Sequence, residues 1–270
     1  MSLNDWKNMD LKTIDNPTYY EKYNWDKANL DESLKRKIKK IREILPQGIH
    51  SIADIGCGDG TITQQIKNNH FIVGIDRSKT ALMKVILPRI LSSADQLAIK
   101  DNSFDLVLSS ELLEHLEDDI FNSTLEEIKR ISRKYILLTF PNAETIEKDF
   151  VKCPNCGNVF NKSYHLRKLT VQNITPHFKG YKIVTQFEYG KGKRRYKKWL
   201  LKIKHKFVSS ESWIPNRWTS TTSRETMCPK CEMFFILNYK FSLLGFILDG
   251  LNTILSPFNP YWRFLLLEKS

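Results

Sequence analysis

The sequence predicts an α/β fold in which a doubly wound, mostly parallel sheet carries helices on both faces. Three observations predict it. Short apolar strands alternate with helical stretches, a glycine loop follows the first strand, and an acid ends the second strand twenty residues after Gly56.

The elements follow in order. Residues 28–45 place Leu30, Leu34, Ile38, Ile41 and Leu45 at spacings of three and four with Lys and Arg between them, an amphipathic helix that Pro46 and Gly48 end. Then come SIADIG, a helix from about Thr61 to Asn68, FIVGID, a helix from Lys79 to about Leu87, and FDLVLS. A helix from about Asp118 to Ser132 and the strand YILLTF complete this run. Further on, a helix from about Thr170 precedes the strand YKIVTQFEY. A mostly apolar helix from about Phe241 to Leu255 and a last strand, Arg263 to Leu267, are expected to finish the sheet edge.

Composition narrows the function classes. With 270 residues and 41% hydrophobic content, the chain can bury one sizeable core with an insertion. Its 42 Lys and Arg against 30 Asp and Glu give a formal charge of +12, which favours anionic partners. The amino-terminal MSLNDWKNMDLKTIDNP lacks the apolar stretch of a secretory signal, so a cytoplasmic location is expected. The longest apolar run, Met233 to Phe258, is interrupted by Lys240, Asp249 and Asn252, which argues against a spanning helix.

In Asp54-Ile55-Gly56-Cys57-Gly58-Asp59-Gly60 the glycines permit a tight turn and a close backbone approach just before a helix amino terminus. Asp76, ending the next strand, can accept both ribose hydroxyl protons of a nucleoside cofactor. A nicotinamide or flavin enzyme would use the same acid, but with a G-x-G-x-x-G loop instead of this G-x-G-x-G.

DIGCGDG, VGIDRS, SSADQLAIKDNSFDLVLSSELLEHLED and YILLTFPN, in that order, resemble the motifs of class I S-adenosylmethionine (SAM) dependent methyltransferases of the broad small-molecule type. The resemblance covers roughly residues 45–145 and implies a Rossmann-like core. It further implies that Asp54, Gly56 and Gly58 line the methionine end of SAM, that Asp76 holds the ribose, and that Ser93, Ala94 and Asp95 border the adenine. One departure stands out: Ser93 occupies a place where the family often has an acid, so adenine recognition falls to Ser93, Asp95 or backbone groups.

Methyl transfer is an in-line displacement, so the enzyme supplies alignment, desolvation and sometimes a base. After the fourth strand, SSELLEH places Glu111 and His115 as the catalytic candidates. His115 can take a proton from an acceptor hydroxyl; alternatively Glu111 contacts the cofactor and His115 packs beside it. The segment also matches the E-x-x-E-H pattern with which one group of RNA-terminal methyltransferases binds a divalent ion, although no second histidine ligand accompanies it. It lacks the Asn/Asp-Pro-Pro-aromatic sequence of enzymes that methylate exocyclic amines, which favours transfer to oxygen or carbon.

Two C-x-x-C pairs, Cys153/Cys156 and Cys228/Cys231, are 71 residues apart. Each pair can fold as a knuckle, and two knuckles make a tetrahedral four-thiolate site with no open position, which points to structural zinc; a redox pair or unligated thiols are the alternatives. CPNCGNVF followed by HLRKLT resembles a subgroup of these methyltransferases that modify glycans and lipid-linked glycans, with Glu232 where a glycine is expected. His165 is read as bordering the acceptor pocket or steadying the ribbon.

From Lys191 to Lys206, nine of sixteen residues are Lys or Arg and none is acidic. Tyr196, Trp199, Leu200, Ile203 and Phe207 fall on one helical face. This pattern suits a lid over the substrate, a peripheral contact with an anionic inner membrane surface, or nucleic acid.

The expected organisation is an amino-terminal helical cap (1–50), a SAM-binding Rossmann-like core (51–150), an inserted four-cysteine zinc ribbon and lid that includes a late core strand (151–235), and a carboxyl-terminal helix and strand (236–270). The expected function is SAM-dependent methyl transfer to a small-molecule, sugar or lipid-linked glycan acceptor. An RNA methyltransferase and a non-catalytic SAM-binding zinc scaffold are the alternatives.

Overall fold

The computed structural model describes residues 16–23, 25, 30–208, 224–238 and 240–270. The expectations for the first fifteen residues and for residues 28–29 lie outside these. The chain divides into two compact units, one made of Tyr20–Asn142, Leu169–Gly192 and Pro260–Ser270, the other of Met1–Tyr19, Ala143–Lys168 and Lys193–Asn259.

The first unit holds a seven-stranded sheet formed by β1 (Ser51–Ile55), β2 (Phe71–Asp76), β3 (Arg89–Leu91), β4 (Phe104–Ser110), β5 (Ser132–Pro141), β8 (Tyr181–Arg194) and β11 (Phe258–Lys269), in the order β3-β2-β1-β4-β5-β11-β8. Pairings from β3 through β5 are parallel, whereas β11 runs antiparallel to β5. The sheet is doubly wound and Rossmann-like. Its centre is dry on both faces because alternate residues bury to opposite sides. Ala53, Ile55, Val73, Ile75, Val107, Ile136 and Leu138 join one core with Phe121, Leu125 and Ile128. Ile52, Ile72, Leu106, Leu108 and Leu137 join another with Ile38, Ile41 and Ile66.

The helices that cover those faces begin where local chemistry lets them. Helix Glu32–Ile44 is capped by Asp31, whose side chain accepts from the Leu34 N–H at 2.7 Å. Helix Asp118–Ile131 carries two acids in its first turn and Lys129 and Arg130 in its last, matching the helix dipole, and buries Phe121, Leu125, Ile128 and Ile131. Each such side chain contributes about 1.5–3 kcal/mol of burial.

Three expectations need correction. The helix from Lys79 to Leu87 is one turn, Lys79–Leu82, because the chain then turns into β3, a strand with no apolar alternation to announce it. The basic stretch from Lys191 is not helical throughout: residues up to Arg194 extend β8, and the helix is Lys198–Phe207. The last strand does not form the sheet edge. It lies between β5 and β8, so β8 is the edge.

The second unit contains two short antiparallel hairpins, β6 (Phe150–Lys152) with β7 (Val159–Asn161) and β9 (Glu225–Met227) with β10 (Phe234–Ile236). Helices Lys198–Phe207 and Leu243–Leu255 also belong to it and pack together. No helix among the described residues is long and apolar enough to cross a membrane.

Candidate functional site

The glycine loop leaves β1 as three successive left-handed glycines, Gly56, Gly58 and Gly60, with φ of 75°, 55° and 74°. Gly56 and Cys57 donate to the Ile75 carbonyl at 2.8 and 3.1 Å, which ties the loop to the end of β2. The Asp76 carboxylate then holds the loop from the other side. One oxygen accepts from the Gly58 N–H and the other from the Ser78 N–H, both at 2.8 Å. Each oxygen keeps a further lone pair for a ligand hydroxyl. A Cβ at Gly58 would come within 2.9 Å of the Trp25 ring, so the absence of a side chain there lets that ring rest against the loop.

Burial sets the electrostatics of this end of the sheet. Asp54 is buried and accepts from the Thr63 hydroxyl at 2.6 Å; desolvation pushes its carboxyl up to about 6. Desolvation also raises Asp76, against the backbone N–H groups of Ser78, Gly58 and Arg77 that favour its charge. The Cys57 thiol is raised by the same burial, which keeps it protonated and unreactive.

Ser93, Ala94 and Asp95 follow β3, where Ser92 N donates to the Asp76 carbonyl at 3.0 Å. The Ser93 hydroxyl donates to the Asp95 carboxylate, and Ala94 packs on the core. After β4, Glu111 adopts a left-handed φ of 56° and donates its N–H to the Thr139 carbonyl at 2.9 Å. A non-glycine residue held there stores strain of a kind that clusters at functional sites. His115 lies at the end of the short helix Leu113–His115, its ring edge-on to Tyr20 with centroids 6.3 Å apart.

The carboxyl ends of four neighbouring strands thus bring together Gly56 and Gly58, Asp76, Ser93–Asp95, and Glu111 with His115. Sequence reasoning missed three contributors. Lys37 places its ammonium 3.1 Å from Glu111, Tyr20 lies between His115 and the Arg77 guanidinium, and Trp25 rests on Gly58. Lys37 could have been found: it sits three residues from Leu34 and four from Ile41, on the apolar face.

In the second unit the four predicted cysteines converge. Cys153 Sγ is 3.6 Å from Cys231 Sγ, Cys156 Sγ is 3.5 Å from Cys228 Sγ, and all four lie within 4.8 Å of one another. Each knuckle closes in the same way. Gly157 N donates to the Cys153 carbonyl at 3.0 Å, and Glu232 N to the Cys228 carbonyl at 2.9 Å. Gly157 and Glu232 both have left-handed φ, 73° and 57°, so Glu232 takes up the conformation that a glycine would adopt more cheaply. The donor set fits a four-thiolate zinc ion, with no fifth position for a substrate. The backbone N–H of Met233 draws the Cys231 thiol down to about 6, whereas burial pushes Cys228 up to about 12. His165, in the same unit, bonds through Nδ1 to the Glu144 carboxylate and does not join this set.

Residues 53–136 match the family model described as a methyltransferase domain. That stretch of the core, from β1 into β5, is similar to a methyltransferase domain. Solved structures share the fold. A SAM-dependent methyltransferase from Archaeoglobus fulgidus superposes with a TM-score of 0.54 at 14% identity, over 87% of this chain and 93% of that one. A putative methyltransferase from Bacillus halodurans C-125 gives 0.51 at 13%, over 87% and 97%. The [4+2]-cyclase SpnF gives 0.50 at 13%, over 91% and 84%. At such identities the likeness is one of fold, and the cyclase shows that the fold alone does not fix the reaction. No curated protein sequence matches the chain.

Proposed function

We propose that the protein transfers the methyl group of SAM to an oxygen or carbon of a small-molecule, sugar or lipid-linked glycan acceptor. The observation that carries this reading is the alignment, at the ends of β2, β1 and β4, of Asp76, the Gly56–Gly58 turn and the strained Glu111–His115 segment within a methyltransferase domain. SAM, when bound, supplies the electrophilic methyl group. Asp54, Gly56 and Gly58 would line its methionine end, Asp76 would accept from its ribose hydroxyls, and Ser93, Ala94 and Asp95 would border its adenine.

The chain's own residues then orient the acceptor and hold its proton. Glu111 is fixed by Lys37 and lies at the cofactor's side of β4. His115 would take a proton from an acceptor hydroxyl; Tyr20 lies against its ring. The Ser110-Glu111-Leu112 sequence after β4 carries no proline pair to grip an amine. In the second unit, zinc held by Cys153, Cys156, Cys228 and Cys231 would fix the ribbon and contribute folding free energy.

The basic segment from Lys191 supports a cytoplasmic enzyme in peripheral contact with an anionic inner membrane surface. The charge of +12 favours a second reading, methylation of RNA. Purified protein, SAM with a labelled methyl group and either a lipid-glycan extract or total RNA separate the two. Label in an alkali-stable glycan or small molecule is expected. Label in RNA alone would put the second reading first, and SAM binding without label in any acceptor would leave a SAM-binding scaffold.

A further inference from the structure

Helix Leu243–Leu255 is inverted relative to an ordinary surface helix. It buries Gly245, Leu248, Asp249 and Asn252 and turns Leu243, Leu244, Phe246, Ile247, Leu251, Ile254 and Leu255 outward. Phe246 is 52% exposed and Ile254 79%, and Phe241 and Phe258, flanking the helix, are 64% each. A helix in water normally shows the opposite arrangement.

The inversion is locked by polar bonds. Asp249 accepts from Lys204 Nζ at 2.7 Å, with both side chains 4% exposed. Asn252 accepts from Lys197 N at 2.7 Å and donates to the Lys197 carbonyl at 3.3 Å, while Ser256 Oγ donates to Asn252 Oδ1 at 2.8 Å. Rolling the helix to hide its apolar side would strand a buried charge, which costs several kcal/mol. The outward face is therefore fixed.

We propose that this face is an in-plane membrane anchor, inserted at the headgroup boundary of an anionic bilayer. The proposal deepens the peripheral reading given above and rests on it. Thirteen residues span only about 20 Å, too short to cross a membrane and suited to lying in its plane. The helix has one acid, Asp249, and that acid is buried, so no negative charge of the helix meets the lipid.

Helix Lys198–Phe207, which packs against it, adds the complementary charge. It exposes Trp199, Ile203 and Phe207 at successive four-residue steps, and Lys198, Lys202 and Lys206 on the adjacent row. Apolar and cationic rows side by side match the boundary between acyl chains and anionic headgroups. A second copy of the chain fits worse, because association would bring the two lysine rows together.

The test is co-sedimentation with vesicles of phosphatidylcholine and phosphatidylglycerol and with phosphatidylcholine alone. Wild-type protein is expected to bind the anionic vesicles and to keep part of that binding in high salt. Phe246→Ser/Ile254→Ser should lower it at least about tenfold with melting unchanged, since both side chains are in solvent. Lys202→Gln/Lys206→Gln should lower binding at low salt and leave the salt-resistant part. If the lysine variant loses all binding while the serine variant binds like wild type, insertion is wrong and an electrostatic contact stands. If wild type binds no vesicles, both fall. A dimer in sedimentation that Phe246→Ser/Ile254→Ser dissociates would make the face a subunit interface and overturn the proposal.

Discussion

The Lys37 ammonium sits 3.1 Å from the Glu111 carboxylate, and the two ends of this ion pair differ in burial: 1% exposed for Lys37, 27% for Glu111. The ammonium also lies over the Trp262 ring, 5.0 Å from its centroid. Removing either partner should therefore have unequal effects. Glu111→Gln leaves a buried cation without its carboxylate and should cost about 3 kcal/mol. Lys37→Met leaves a carboxylate that water can reach and should cost about 1 kcal/mol. Urea unfolding of both variants and of the double variant checks this, the double being expected to resemble Lys37→Met. Equal losses would mean that the pair's asymmetry has no energetic weight.

The parts of the fold that were legible in the sequence are those whose burial leaves a period. Strands β1, β2, β4 and β5 carry apolar runs that alternate between two cores, so both their positions and the parallel character of the sheet could be read. The strand β3 could not, because Arg89–Leu91 is exposed at both ends and only half-buried between. Sheet order at the antiparallel side was equally hidden, since nothing in Phe258–Lys269 says which neighbours it pairs with. The loop, Asp76 and the four cysteines were legible because their chemistry fixes residue type at a spacing. The roles of Tyr20 and Trp25 were not, since an aromatic in an amino-terminal segment carries no such mark. Helix Leu243–Leu255 was legible as a helix but not in its orientation, since an apolar composition does not say that the polar Asp249 and Asn252 are the residues inside.

Gly58 and Asp76 should each be indispensable for cofactor binding, for different reasons. A side chain at Gly58 meets both an unfavourable φ of 55° and the Trp25 ring at 2.9 Å. Asp76→Ala removes the acceptor that holds Gly58 and Ser78 and the one a ribose would use. Calorimetric titration with SAM is expected to show a loss of about 100-fold or more for Gly58→Val and Asp76→Ala, from lost charge-assisted hydrogen bonds and occlusion. Asp76→Asn, keeping one acceptor oxygen, should fall between. Wild-type affinity in Asp76→Ala would remove the ribose assignment.

Elemental analysis should find one zinc per chain. Because four converging thiolates would repel one another without a cation, chelation should lower the melting temperature of the unit that holds them and release the ribbon. Cys153→Ser and Cys228→Ser should reproduce this. SAM titration of the chelated protein should still show binding, since the glycine loop and Asp76 belong to the other unit. Metal-free protein that melts unchanged after chelation would refute a structural zinc.

Asp54 should make stability depend on pH in the direction opposite to an ordinary paired carboxylate. Burial raises its carboxyl from 3.8 to about 6 in the native state, even though Thr63 favours the charged form. The native state thus binds the proton more tightly than the unfolded chain, so this group destabilises fully above about pH 6. That penalty, about 3 kcal/mol, is relieved as pH falls from about 6 toward 4. Asp54→Asn keeps an oxygen for the Thr63 hydroxyl and removes the titration. Denaturant unfolding at a series of pH values should show the variant gaining stability over wild type as pH rises from 4 to 7, with the difference level above that. A difference that stays flat across this window would mean that Asp54 titrates normally and that the end of β1 is far better solvated than its 1% exposure implies.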